Sequence, residues 1–69
     1  MPLFIVNYDL TKRKDYQPLW DRLSELGGRR LLLSTWAIKG NYTAAWLRDD
    51  LQQYVDSDDR LFVDESMMA

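Results

Sequence analysis

The chain has 69 residues, a formal net charge of −2, and neither cysteine nor histidine. One small domain fits this length, spanning residues 1–69, and a core of this size supplies only a few kcal/mol, roughly 3–5, without help. Disulfides, thiolate or imidazole metal sites and His-dependent nucleophiles are excluded by composition, so a partner chain is the most available source of extra burial.

The charge is unevenly distributed. Residues 1–40 carry seven Lys/Arg and four Asp/Glu, and residues 41–69 carry two and seven, giving +3 and −5. Overall acidity argues against broad nonspecific binding to nucleic acid, although a local basic patch in the first half remains available. The apolar run at residues 3–6 is far short of a signal or membrane segment, and a cytoplasmic location without membrane contact is expected. Asn41-Tyr42-Thr43 matches a glycosylation sequon, but without a secretory segment it is read as coincidence.

Residues 3–9, LFIVNYD, read as a strand that ends on Tyr8 and Asp9. Thr11 to Lys14 form a polar connection. From Asp15 the period changes: Tyr16, Leu19, Trp20, Leu23 and Leu26 share one helical stripe, and Gly27-Gly28 supply the left-handed stop. Residues 29–39 are strand-like again. Ser34 interrupts the apolar run and marks a bend or a hairpin, and the poor turn chemistry leaves one long bent strand open. Thr43 is the expected N-cap of a second helix running to about Val55, with Leu47, Leu51, Tyr54 and Val55 inward. Asp56 to Asp59 form a loop, and Arg60 to Asp64 a last strand.

The order β-α-β-β-α-β, with right-handed crossovers, predicts an α+β ferredoxin-like fold: four antiparallel strands with two helices on one face. A sheet covered on one side should alternate apolar with polar residues. Here Leu3 and Ile5 place apolar groups on the face opposite Phe4, Val6 and Tyr8, and residues 31–38 are apolar on both faces. The uncovered side therefore calls for a second copy, and a homodimer is expected.

"NYDL" ending strand one, "GGRRLLLSTW" after helix one and "DSDDRLFV" entering the last strand together resemble CRISPR-associated protein 2 and the related virulence-associated protein D. The similarity spans roughly residues 3–64. Tyr8-Asp9 match the family's Tyr-Asp pair, Arg30 its strand-two arginine, Ser34 its serine and Trp36 its phenylalanine position. Leu32 stands where the family has glutamine, and Thr35 where it has valine. The resemblance implies a symmetric dimer in prokaryotic defence that brings two copies of Asp9 together. Such a dimer would act as a metal-dependent endonuclease or as a scaffold gripping DNA. Two aspartates meeting at a twofold axis suit Mg²⁺ or Mn²⁺, with Asp9 as metal ligand and catalytic residue and Lys12, Arg13 and Lys14 as phosphate contacts.

Each site has a plainer structural alternative. Asp9 would cap a loop or pair with the basic run, and that run would simply be solvated. Asp56, Asp58 and Asp59 do not form an EF-hand, because Arg60, Leu61 and Met67 fall at required ligand and glycine positions. Trp20 and Trp36 are expected in the core or at a dimer contact, and Trp46, off its helix's apolar stripe, is expected to be partly exposed. A second function class also stands: a non-enzymatic inhibitor whose acidic residues, Asp49, Asp50, Asp56, Asp58 and Asp59, meet a basic, nucleic-acid-binding partner.

Overall fold

The computed structural model describes residues 1–9, 16–56 and 59–66. Lys12, Arg13, Lys14 and Asp58 lie outside the described residues. The elements are β1 (Leu3–Asp9), α1 (Gln17–Glu25), β2 (Arg29–Leu32), β3 (Thr35–Lys39), α2 (Ala44–Gln52) and β4 (Arg60–Ser66). They form one four-stranded sheet in the order β2-β3-β1-β4, with every neighbouring pair antiparallel. This is the ferredoxin-like α+β arrangement.

Alternation along the strands explains the layers. Phe4, Val6 and Tyr8 of β1 and Trp36 and Ile38 of β3 are buried, and they pack with Leu19 and Leu23 of α1 and Leu47 and Leu51 of α2. Both helices therefore cover the same face. The other face carries Leu3, Ile5 and Ala37, all half-buried, together with Leu32 and Phe62, which are exposed. Its polar centre is a hydrogen bond from Thr35 Oγ1 to Asn7 Oδ1 at 2.7 Å.

Helix ends follow local chemistry. Gly27 adopts φ +83°, its N–H donates to Ser24 O at 3.0 Å, and Gly28 N–H donates to Leu23 O at 2.8 Å. This pair of bonds is the Schellman motif, which satisfies the last carbonyls of α1. Thr43 Oγ1 accepts from the Trp46 amide at 3.1 Å and caps α2. The two helices are clamped by Arg22: Nε and Nη2 donate to the two carboxylate oxygens of Asp50 at 2.8 and 2.9 Å. The Asp50 hydrogen bond holds the guanidinium above its ordinary range, so the arginine stays charged at any working pH.

Two boundaries differ from expectation. α2 ends at Gln52 rather than near Val55, and β4 runs on to Ser66. Tyr54, placed inward by periodicity, lies in the turn after α2 and is exposed. Residues 29–39 form a hairpin, with Leu32 opposite Thr35 and Leu33-Ser34 as its two-residue turn. No described non-glycine residue has positive φ, so this turn lacks the primed geometry that matches strand twist. A register shift between Arg30 and Leu32 absorbs the mismatch. No helix among the described residues is long and apolar enough to cross a membrane.

Replacing Gly28 by alanine should destabilise the chain more than replacing Gly27. A Cβ on Gly28 would lie 2.6 Å from the Leu23 carbonyl oxygen, whereas at Gly27 it meets nothing within 4 Å and costs only left-handed strain. Urea unfolding should show about 1 kcal/mol lost for Gly27→Ala and a larger loss for Gly28→Ala.

Candidate functional site

The central strand ends in a dense aromatic junction. Tyr8 points to the helix face, where its hydroxyl accepts from Trp20 Nε1 at 3.0 Å and from Trp36 Nε1 at 3.2 Å. The same hydroxyl donates to the Leu33 carbonyl at 3.2 Å. A phenolic oxygen has one proton to give and two lone pairs, and all are used here. The Tyr8 amide also donates to Ser34 O at 3.2 Å, so this one residue holds both turn carbonyls of the β2–β3 hairpin. Arg30 covers the junction, its Cζ lying 4.6 Å from the Trp20 ring centroid and 5.1 Å from that of Trp36.

Asp9 follows on the opposite face by strand alternation and is exposed. Its sheet partner across β4 is Arg60. Among the described residues its carboxylate forms no ion pair and no hydrogen bond. Tyr8, Asp9, Trp20, Leu33 and Ser34 line a cleft of about 320 Å³. Because the tyrosine hydroxyl is saturated, the polar side chains left for chemistry in this cleft among the described residues are Asp9 and Ser34.

No protein-family model matches the chain.

The structure brings together Tyr8, Arg30, Ser34 and Trp36, the residues singled out in the sequence, since all four belong to or border the aromatic junction. Trp20 joins them as a hydrogen-bond donor, a role that the helical period alone did not assign to it. The signal was available, because a buried indole N–H needs an acceptor. No group of three His, Cys, Asp or Glu side chains able to hold a metal occurs among the described residues. Among the described residues, one chain offers a single carboxylate at the cleft, that of Asp9.

The acidic positions divide by role. Asp50 is committed to Arg22. Asp59 is buried, its Oδ2 accepting from the Asp56 amide at 2.9 Å while its own amide donates to Asp56 O at 3.1 Å. Asp49 and Asp56 are exposed.

Tyr8→Phe should cost about 1–3 kcal/mol, because two indole donors and a turn carbonyl lose their partner inside the protein. Asp9→Asn should change stability by less than about 0.5 kcal/mol, as expected of an exposed, unpaired position. Thermal melts of both variants against wild type check the contrast.

Proposed function

We propose that the protein is a relative of CRISPR-associated protein 2: a cytoplasmic twofold dimer that acts on or alongside nucleic acid in prokaryotic defence. The observation that carries the reading is the division of labour in Tyr8-Asp9. The tyrosine is wholly consumed by internal hydrogen bonds, while the adjoining carboxylate lines a cleft with no ion pair or hydrogen bond among the described residues. A free strand-end acid next to a rigid junction serves the fold little, and it is what a catalytic or metal-binding role requires.

The uncovered sheet face supports the dimer. Leu32 and Phe62 are exposed there beside half-buried Leu3, Ile5 and Ala37, and a second copy would remove these groups from water. In such a dimer two Asp9 carboxylates would suit Mg²⁺ or Mn²⁺, which take one or two carboxylates and leave remaining positions to water and phosphate. The bound ion would supply charge neutralisation for an endonuclease. Lys12, Arg13 and Lys14 would contact the phosphates by their charge.

The second reading, an acidic inhibitor of a basic partner, has less to stand on. Of its five carboxylates, Asp50 and Asp59 are engaged in holding this fold, which leaves Asp49 and Asp56 as the exposed described members.

The test is to incubate wild type and Asp9→Asn with RNA and with duplex DNA, in Mg²⁺, in Mn²⁺ and in chelator. Wild type should retard nucleic acid at low salt and cleave it with metal. Asp9→Asn should retain binding and lose cleavage, as chelator does. Absence of both retardation and cleavage would leave the inhibitor reading instead.

A further inference from the structure

The sheet has two edges, and they are finished differently. β2 carries devices by which proteins blunt an edge: it is four residues long, its register with β3 shifts between Arg30 and Leu32, and Arg29 and Arg30 set like charges along it. β4 carries none of these. It is seven residues long, contains neither proline nor lysine, and pairs with β1 without a break from Arg60 opposite Asp9 to Ser66 opposite Leu3. Among the described residues β4 has a neighbouring strand on one side only, so the alternate N–H and C=O groups that point away from β1 face no strand.

The residues of this edge are complementary to themselves. A twofold axis normal to the sheet pairs two copies of one strand antiparallel and keeps every residue on its own face. With that axis at Phe62, Arg60 of each copy lies opposite Asp64 of the other, Leu61 lies opposite Val63, and Phe62 meets its own counterpart. Opposite charges, apolar side chains and an aromatic pair then coincide at successive positions, the combinations that stabilise cross-strand neighbours. The adjacent symmetric registers fail. Moving the axis to Val63 sets Phe62 against Asp64 and Leu61 against Glu65. Moving it to Leu61 sets Arg60 against Phe62 and carries Asp64 past the end of the partner strand. We propose that β4 binds β4 of a second copy of this chain in the Phe62-centred register, joining the two sheets edge to edge.

The exposures agree with that occupant. Phe62, opposite Asn7 on the uncovered face, is 53% exposed, and its counterpart across the axis would take much of the ring out of water. Leu61 and Val63 pack against the core on the helix face and yet are only half-buried, as apolar side chains on an incomplete edge are. Arg60 and Asp64 are exposed, and neither forms an ion pair among the described residues. Backbone pairing along β4 would give the affinity, and these side-chain pairs would fix the register. The contact uses the edge of the sheet, and it does not depend on the nucleic-acid reading above. It leaves the uncovered face open to a further copy, so both contacts together would build a tetramer.

Size-exclusion chromatography with light scattering tests the proposal on wild type, Arg60→Glu, Asp64→Lys and an equimolar mixture of the two variants. Each variant alone sets like charges opposite one another at both ends of the pairing and should have half the wild-type mass. In a mixed pair one end carries the reversed charges and the other the native ones, so the wild-type mass should return. Amide hydrogen exchange followed by NMR locates the contact. The β4 amides that point away from β1 should exchange slowly in wild type and fast in either variant, while the amides bonded to β1 stay slow throughout. The wild-type exchange pattern decides the matter even where a variant fails to fold. A monomeric wild type would overturn the proposal, as would single variants that keep the wild-type mass. So would a mixture that stays at half mass while circular dichroism shows both variants folded. Fast exchange of the outward amides in an associated wild type would overturn it too, and would assign the association to another surface.

Discussion

The phenolic hydroxyl of Tyr8 is the group on which one whole end of the structure depends. Its three hydrogen bonds reach α1 through Trp20, β3 through Trp36 and the hairpin turn through Leu33. Inside a protein such a network is held more tightly than its separate bonds suggest, and any member left unpaired is costly. The junction therefore positions elements that the sheet ladder alone would not fix. It also explains why a central, mostly apolar strand closes on a tyrosine followed by a carboxylate. Alternation forces neighbours onto opposite faces, so the residue that locks the interior is succeeded by one that must look out.

A related economy runs through the charges. The acidic second half of the chain suggests a broad anionic surface, but part of that charge is turned inward. Asp50 closes a bidentate pair with Arg22 and joins the two helices, and Asp59 holds the amide of Asp56 at the entrance to β4. The Arg22–Asp50 pair is partly buried and bidentate, so it fixes the geometry between the helices through two charge-assisted hydrogen bonds. The exposed surface is thus less acidic than the count of residues implies.

Much of the architecture was legible in the residues. Strand one, the stripe of α1, the left-handed glycine after it and the threonine cap of α2 are local features, and each follows from a period or a single side chain. The hairpin was ambiguous because nothing in Leu33-Ser34 favours a tight turn; Tyr8, distant in sequence, supplies the restraint. Tyr54 was misplaced because the helical period was extended past Gln52, where the chain has already turned. Asp50 and Asp59 could not be recognised as internal without knowing what lies opposite them. At the candidate site, the exposure of Asp9 followed from alternation, whereas the saturation of Tyr8 required its three partners.

The aromatic groups of the molecule then have contrasting characters: those of the junction are consumed by one another, and the Trp46 indole on α2 remains exposed. Hydrogen exchange of the three indole N–H groups, followed by NMR, tests the central claim most directly. The expected result is slow exchange at Trp20 and Trp36, fast exchange at the exposed Trp46, and loss of the first two protections together in Tyr8→Phe. Equal exchange at all three indoles, or protection that survives removal of the Tyr8 hydroxyl, would contradict it.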